Sequence, residues 1–380
     1  MEKFTVKIKP LTPIWTGGAE RSSTTLRETG IIGSLRWWYE ALIRGLGGDA
    51  CDPTDENLRC KLNYDKFYKA IKNGTPIQEA LNAQICQACQ LFGCTGWARK
   101  FRLEIESSNI TSVKEARIGT REKRGDRYLK RSILGLMSND LITLRFIPSR
   151  DISKQEWSLL NIIFGIIANH GALGARTSQG NGVIKIFENG LPYNNEELWV
   201  SDLKKSKNSG ELPNLNNFFF YKFYIKFSED LLSLIKKEVF WTHASDHSNF
   251  RNDWKSWEES WNCYHFLPIA FHVRDTIRHL EKDRNKRHDI FGIGGQNAKG
   301  SKVFVSHGYK IDDNDDKGVE VRVWGYDLEE DIKNRIKNEV SNKLKENLFL
   351  PEENTLEKCI STELTEEKEG NELLEGLNDI

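Results

Sequence analysis

The sequence predicts an α+β fold, two ferredoxin-like domains in one chain with helical insertions, on three observations. Over residues 1–190 the apolar pattern alternates between strand and helix periods in the order strand, helix, strand, strand, helix, strand, which is the split βαβ order. A glycine-rich loop directly before a strand occurs at 165–187 and again, shorter, at 291–307. Between the two, residues 191–216 are rich in Asn, Lys, Glu and Pro and read as a linker. The expected organisation is domain 1 over 1–190 with insertions at about 50–95 and 107–138, the linker, domain 2 over 217–350, and an acidic tail over 351–380.

In chain order, Phe4 to Lys9 alternates apolar and basic residues as a strand, closed by Pro10 and Pro13. A glycine turn (IWTGGAE) and a polar hairpin from Arg21 to Thr29 follow. Ser34 is placed to cap a helix over 35–43 whose stripe of Leu35, Trp38, Ala41 and Leu42 would lie on a sheet. Residues 51–90 are too long for a plain loop and predict an inserted subdomain with helices around 64–71 and 77–89. A second strand at 97–106 and a third at 141–148 flank the polar, basic stretch 107–137, which is either a nucleic-acid-facing insertion or a disordered one. A helix over 157–167, the loop 165–182 and a strand at 183–187 complete the first unit. The second unit opens on the aromatic strand NFFFYKFYIKF (217–227), with a helix at 231–241, strands at 301–307 and 319–324, and a helix at 328–344. Beyond Pro351 the composition predicts a disordered acidic tail.

The formal charge of zero hides an asymmetry: residues 351–380 hold ten acidic residues against Lys358 and Lys368, so residues 1–350 carry a net +8. Positions 99–131, with eleven Arg or Lys against five acidic residues, and 272–302, with eight against four, are candidate electrostatic footprints for nucleic acid. No window approaches 18 consecutive apolar residues and MEKFTVKIKP has no signal-like apolar region, so the expected location is the cytoplasm.

The loop GIIANHGALGARTSQGNG (165–182) has two readings beside that of a mobile surface turn: a cradle for a phosphate backbone or for a protein edge, with Arg176, Thr177, Ser178 and Gln179 as side-chain donors among the glycines. Neither GxxxxGK[ST] nor GxGxxG occurs in the required context, which disfavours a nucleotide fingerprint. Cys86 and Cys89 form a CxxC, and with Cys51 and Cys60 they supply four thiols for a structural zinc, Cys94 being the alternate ligand; buried thiols without metal are the competing reading. No cofactor is required otherwise. Catalytic motifs are thin, with no GxSxG and no HExxH; His170 beside the loop is the one candidate general base, for an RNA 2′-hydroxyl. The middle strands lack the RNA-recognition-module aromatics, so stacking of bases on the sheet face is disfavoured.

The turn Leu11–Gly18, the helix opening IIGSLRWWYEAL, the segment CQACQLFGCTGWARKF and the loop GALGARTSQGNG together resemble the RAMP superfamily of CRISPR proteins, and within it the Cmr-type subunits of type III-B RNA-guided effectors. That resemblance implies a non-catalytic RNA-binding subunit that holds the 3′ region of the guide RNA and assists target capture. Its partners would be guide RNA, target single-stranded RNA and other Cmr-type RAMP subunits, above all the small capping subunit. A metal-independent guide-processing endoribonuclease and a protein-only scaffold are the alternatives. Motifs and charge together name Arg21, Arg27, Gly33, Ser34, Arg36, Arg99, Lys100, Gly171, Gly174, Arg176, Thr177, Ser178, Gln179 and Gly180 as candidate RNA-facing positions.

Overall fold

A computed structural model describes residues 3–18, 23–107, 109–124, 127–193, 212–237, 240, 253–293, 298–312, 314–347 and 359–378. The first unit contains β1 (Phe4–Pro10), α1 (Glu28–Gly45), α2 (Tyr64–Lys72), α3 (Ile77–Asn82), α4 (Gln87–Phe92), β2 (Phe101–Glu106), β3 (Thr111–Ser112), β4 (Ala116–Arg124), β5 (Arg127–Ile133), β6 (Leu136–Met137), β7 (Ile142–Pro148), α5 (Lys154–Asn169) and β8 (Ile184–Asn189). Its sheet runs β2-β7-β1-β8 with every neighbour antiparallel, the ferredoxin-like order. Alternation puts Val6, Ile8, Leu103, Leu144 and Phe146 on the face that α1 and α5 cover. Helix α5 begins before its apolar run because Ser153 accepts from Glu156 N while Glu156 reaches back to Ser153 N, a capping box.

The open face of this sheet is charged, and three of its cations are paired on it. Arg145 meets Glu106 at 2.5 Å, Lys7 meets Glu188 at 2.6 Å and Arg102 meets Glu104 at 2.6 Å. This agrees with the absence of base-stacking signatures on the strands.

The second unit contains β9 (Phe218–Phe227), α6 (Leu231–Lys236), α7 (Asp253–Tyr264), β10 (Phe266–Leu267), α8 (Ala270–Arg278), α9 (Arg284–Phe291), β11 (Val303–Val305), β12 (Gly308–Tyr309), β13 (Gly318–Tyr326), α10 (Glu330–Asn347), β14 (Cys359–Glu369) and α11 (Gly370–Glu375). Its sheet runs β10-β12-β13-β9-β14, with β11 also on β13. The fold is thus α+β with two ferredoxin-like sheets, the fourth strand of the second being β14.

That strand corrects the sequence expectation of a disordered acidic tail. Cys359–Glu369 pairs antiparallel with β9 along almost its whole length. The carboxylates there are counter-charges: Glu366 binds Lys222, Glu367 binds Lys337, and Glu369 binds Lys333 at 2.9 Å. The second domain therefore does not end at 350.

The first half of β9, Phe218 to Tyr221, is aromatic because both its faces are buried. Phe219, Tyr221, Phe223 and Ile225 face the second core, while Phe218 and Phe220 belong to the first. Trp37 of α1 packs between Phe218, Phe304 and Tyr326, with ring centroids 5.9, 5.9 and 6.2 Å away. The second sheet thus lies on the helical layer of the first domain. The insertion 107–137 folds as two short ribbons, β3–β6 and β4–β5, and Ala116, Ile118 and Ile133 join the second core, so this stretch ties the domains together instead of standing free. Most of the expected linker, 194–211, lies outside the described residues.

Candidate nucleic-acid interface

Helix α1 starts at Glu28, seven residues before the sequence expectation, and Arg27 at its N-cap makes no side-chain capping bond. Its start is set by tertiary contact. Thr16 Oγ1 accepts from Arg27 N at 3.1 Å and donates to Thr25 O at 3.2 Å, and a Cβ on Gly30 would stand only 2.5 Å from Thr16 O. Ser34 is consequently not a cap: its Oγ accepts from Gly174 N at 2.9 Å and joins α1 to the glycine loop.

The base of the loop uses its backbone N–H groups within the protein. Leu173 N donates to Gly182 O (2.7 Å), Ala175 N to Trp15 O (2.7 Å) and Gly182 N to Pro13 O (2.9 Å). Carbonyls are used as well: Ala172 O accepts from Trp38 Nε1 at 3.0 Å, and Gly180 O accepts from His307 N at 3.0 Å. Gly180 has φ +110°, and a Cβ there would lie 2.5 Å from the Ala270 Cβ and 2.7 Å from the His307 ring. Gly171, Gly174 and Gly180, expected to face RNA, are therefore packing positions, and the loop is the joint between the domains.

What faces outward is the loop tip. Arg176 adopts φ +57° and lays its guanidinium 3.5 Å from the centre of the Trp15 ring, with Thr177, Ser178 and Gln179 beside it at the surface. Trp15 leads through Gly17 to Gly18, on which the exposed Arg27 lies. Arg27 and Arg176 form a basic strip with a ring beneath it. Gly33 is exposed nearby on α1.

Other expected contacts are turned inward. Arg36 donates to Glu40 Oε1 (2.7 Å), to Gly93 O (2.8 Å) and to Cys89 Sγ (3.2 Å), so its three nitrogens are engaged within the protein. Burial raises the pKa of the Glu40 carboxyl, against the pull of Arg36 and Arg44. Lys100 is buried and holds both oxygens of Glu156 at 2.9 and 2.8 Å. Arg99 is half-buried and donates to Phe101 O at 2.6 Å. Arg21 lies outside the described residues. His170 is turned to the second domain: its Nε2 is 2.8 Å from Glu366 Oε1, and burial lowers its pKa despite that carboxylate.

The structure adds a site that charge counting passed over. Lys9 and Lys185 stand directly opposite in the β1–β8 register, a like-charge pair that disfavours the sheet unless an anion is near. Neither has an acidic partner among the described residues. They line a cleft between the domains together with Phe187, Tyr264, Tyr309 and Arg322. Phe187 is 53% exposed and Lys185 Nζ sits 5.3 Å from its ring.

The family model of the RAMP superfamily matches residues 7–185. The match falls on the first domain. Its described extent, β1 through β8, coincides with the matched residues to within a few positions. No curated protein matches the sequence. Among solved structures, the crystal structure of apo Cmr1 from Pyrococcus furiosus is similar at 12% identity and a TM-score of 0.39, over 100% of this chain and 96% of that one. A chain of the type III-B Cmr-beta complex, solved bound to cognate target RNA and AMPPnP in the presence of ssDNA, is similar at 12% identity and a TM-score of 0.38, over 91% of this chain and 99% of that one. Among the described residues no helix is long and apolar enough to cross a membrane.

Proposed function

We propose that the protein is a non-catalytic RNA-binding subunit of a type III-B CRISPR effector, holding the 3′ region of the guide and assisting target capture beside other Cmr-type RAMP subunits, the small capping subunit among them. The match of the RAMP superfamily model supports the class. One observation carries the RNA reading: Arg27, Arg176, Lys9 and Lys185 have no acidic partner among the described residues, whereas Lys7, Arg102 and Arg145 of the open sheet face are paired. Two of them lie on or beside rings, an arrangement that accepts phosphate and base together.

Contacts of this kind are to the backbone, so affinity falls steeply with salt and depends little on sequence. The test is a mobility-shift titration with labelled single-stranded RNA at several salt concentrations, scored for binding and for cutting. Arg27→Ala and Arg176→Ala are each expected to weaken binding by about 1–2 kcal/mol and Lys9→Ala/Lys185→Ala to reduce the salt slope, with no cleavage in any sample. Salt-independent binding unaffected by all four substitutions would leave the scaffold reading, and cutting abolished in His170→Ala would establish the nuclease.

A further inference from the structure

The four thiols named by the sequence converge. The Sγ atoms of Cys51, Cys60, Cys86 and Cys89 all lie within 4.8 Å of one another, with Cys51 and Cys89 at 3.5 Å. Zinc–thiolate bonds of about 2.3 Å arranged tetrahedrally hold sulfurs about 3.8 Å apart, inside that spread. An iron–sulfur cluster, being several ångströms across, holds its ligand sulfurs farther apart. Cys94 is not one of the four mutually close thiols; its thiol borders the group as a hydrogen-bond neighbour of Cys89.

The surroundings fit thiolates. Cys51 N donates to Cys86 Sγ at 3.5 Å and Cys86 N to Cys60 Sγ at 3.3 Å, while the Arg36 guanidinium donates to Cys89 Sγ at 3.2 Å. Four thiolates and one zinc ion leave a net charge of −2, and Arg36 is the cation in contact with it. Arg44, two turns along α1, holds Ala50 O and Cys51 O at 3.0 Å each. Leu81, Ile85, Leu91 and Phe92 anchor one side of the lobe in the first core, but α2 has no buried residue, and Tyr64 and Tyr68 are 54% and 65% exposed. A structural metal would tie the outer side of the lobe to that anchored side.

We infer that Cys51, Cys60, Cys86 and Cys89 bind one structural zinc ion, and that Arg36 is its positioning residue, tying the metal lobe to α1. The inference does not depend on the RNA reading.

The experiment is elemental analysis of the full-length protein purified under reducing conditions without chelator, with cobalt(II) exchanged into a second sample. The expected result is one zinc per chain and, with cobalt, the thiolate charge-transfer and ligand-field bands of a tetrahedral four-sulfur site. Absence of zinc together with absence of those bands in the wild-type protein overturns the inference, as does a mass showing two disulfides in the same preparation. Because Cys86→Ser and Cys89→Ser both risk misfolding, Arg36→Gln is the second variant: a competing metallochromic chelator should strip its zinc at a 10–100-fold lower concentration, with partial rescue in Arg36→Lys. Equal chelator resistance in wild type and Arg36→Gln removes Arg36 from the assignment.

Discussion

Arg36 and Arg176 each belong to a motif that the sequence marks as RNA-facing, and the structure uses them oppositely. Arg36 faces the buried carboxylate of Glu40, so Arg36→Ala leaves that charge with Arg44 alone, 3.7 Å away. The expected cost is about 3 kcal/mol in urea unfolding, with RNA affinity per folded molecule unchanged. Residue type and local spacing were legible for the cysteines, whose cluster needs only chain reversal. They were not legible for Arg36, Lys100 or Ser34, whose partners lie 57, 56 and 140 residues away. At the domain joint, Gly180→Ala places a Cβ against Ala270 and the His307 ring at positive φ, and is expected to cost about 2–3 kcal/mol by the same measurement. His307 itself is fully buried, and burial pushes its pKa down to about 3 from an ordinary value near 6.5. The unfolded chain therefore binds the proton first: His307's contribution is complete above about pH 6.5 and is lost as pH falls toward 3, by about 1.4 kcal/mol per unit. Urea midpoints measured from pH 7.5 to 5 should fall less steeply in His307→Phe than in wild type, and parallel slopes would contradict the burial of a neutral ring.

Among the elements, strands with clean alternation (β1, β2, β7) and the long apolar helix α5 were legible because one face of each is polar or the run is long enough to set its period. Strand β14 was not, because its glutamates read as solvated charge until Lys222, Lys333 and Lys337 are placed beside them. Composition counts charge without regard to the partner. The start of α1 was missed for a related reason, since Thr16 and Gly30 fix it in place of a side-chain cap. Truncation before Cys359 strips β9 of one neighbour and exposes an aromatic edge. The shortened protein should aggregate on purification, measured as soluble yield and light scattering. A monodisperse, folded truncation would show that β14 contributes little to the sheet.

At the scale of the whole molecule, the two ferredoxin-like sheets were readable, but the way they share material was not. Nothing local says that Phe218 and Phe220 belong to the first core while Phe219 and Phe223 belong to the second, or that the hairpin between β2 and β7 delivers Ile118 and Ile133 across the junction. The seam is aromatic around Trp37, and its polar contacts include Arg322 Nη1 to Gly171 O at 3.2 Å, His307 N to Gly180 O at 3.0 Å and the His170 Nε2–Glu366 Oε1 pair at 2.8 Å. An ordinary interdomain contact lets each half unfold alone, whereas a strand whose two faces serve two cores couples them. Scanning calorimetry of the full chain is therefore expected to show one transition. Trp37→Ala, which opens the seam without touching either sheet's ladder, should lower that single transition by an amount equivalent to about 2–4 kcal/mol. Two resolved transitions in the wild type would mean that the cores are independent; a variant in which only one of two transitions moves would place Trp37 in the first core alone.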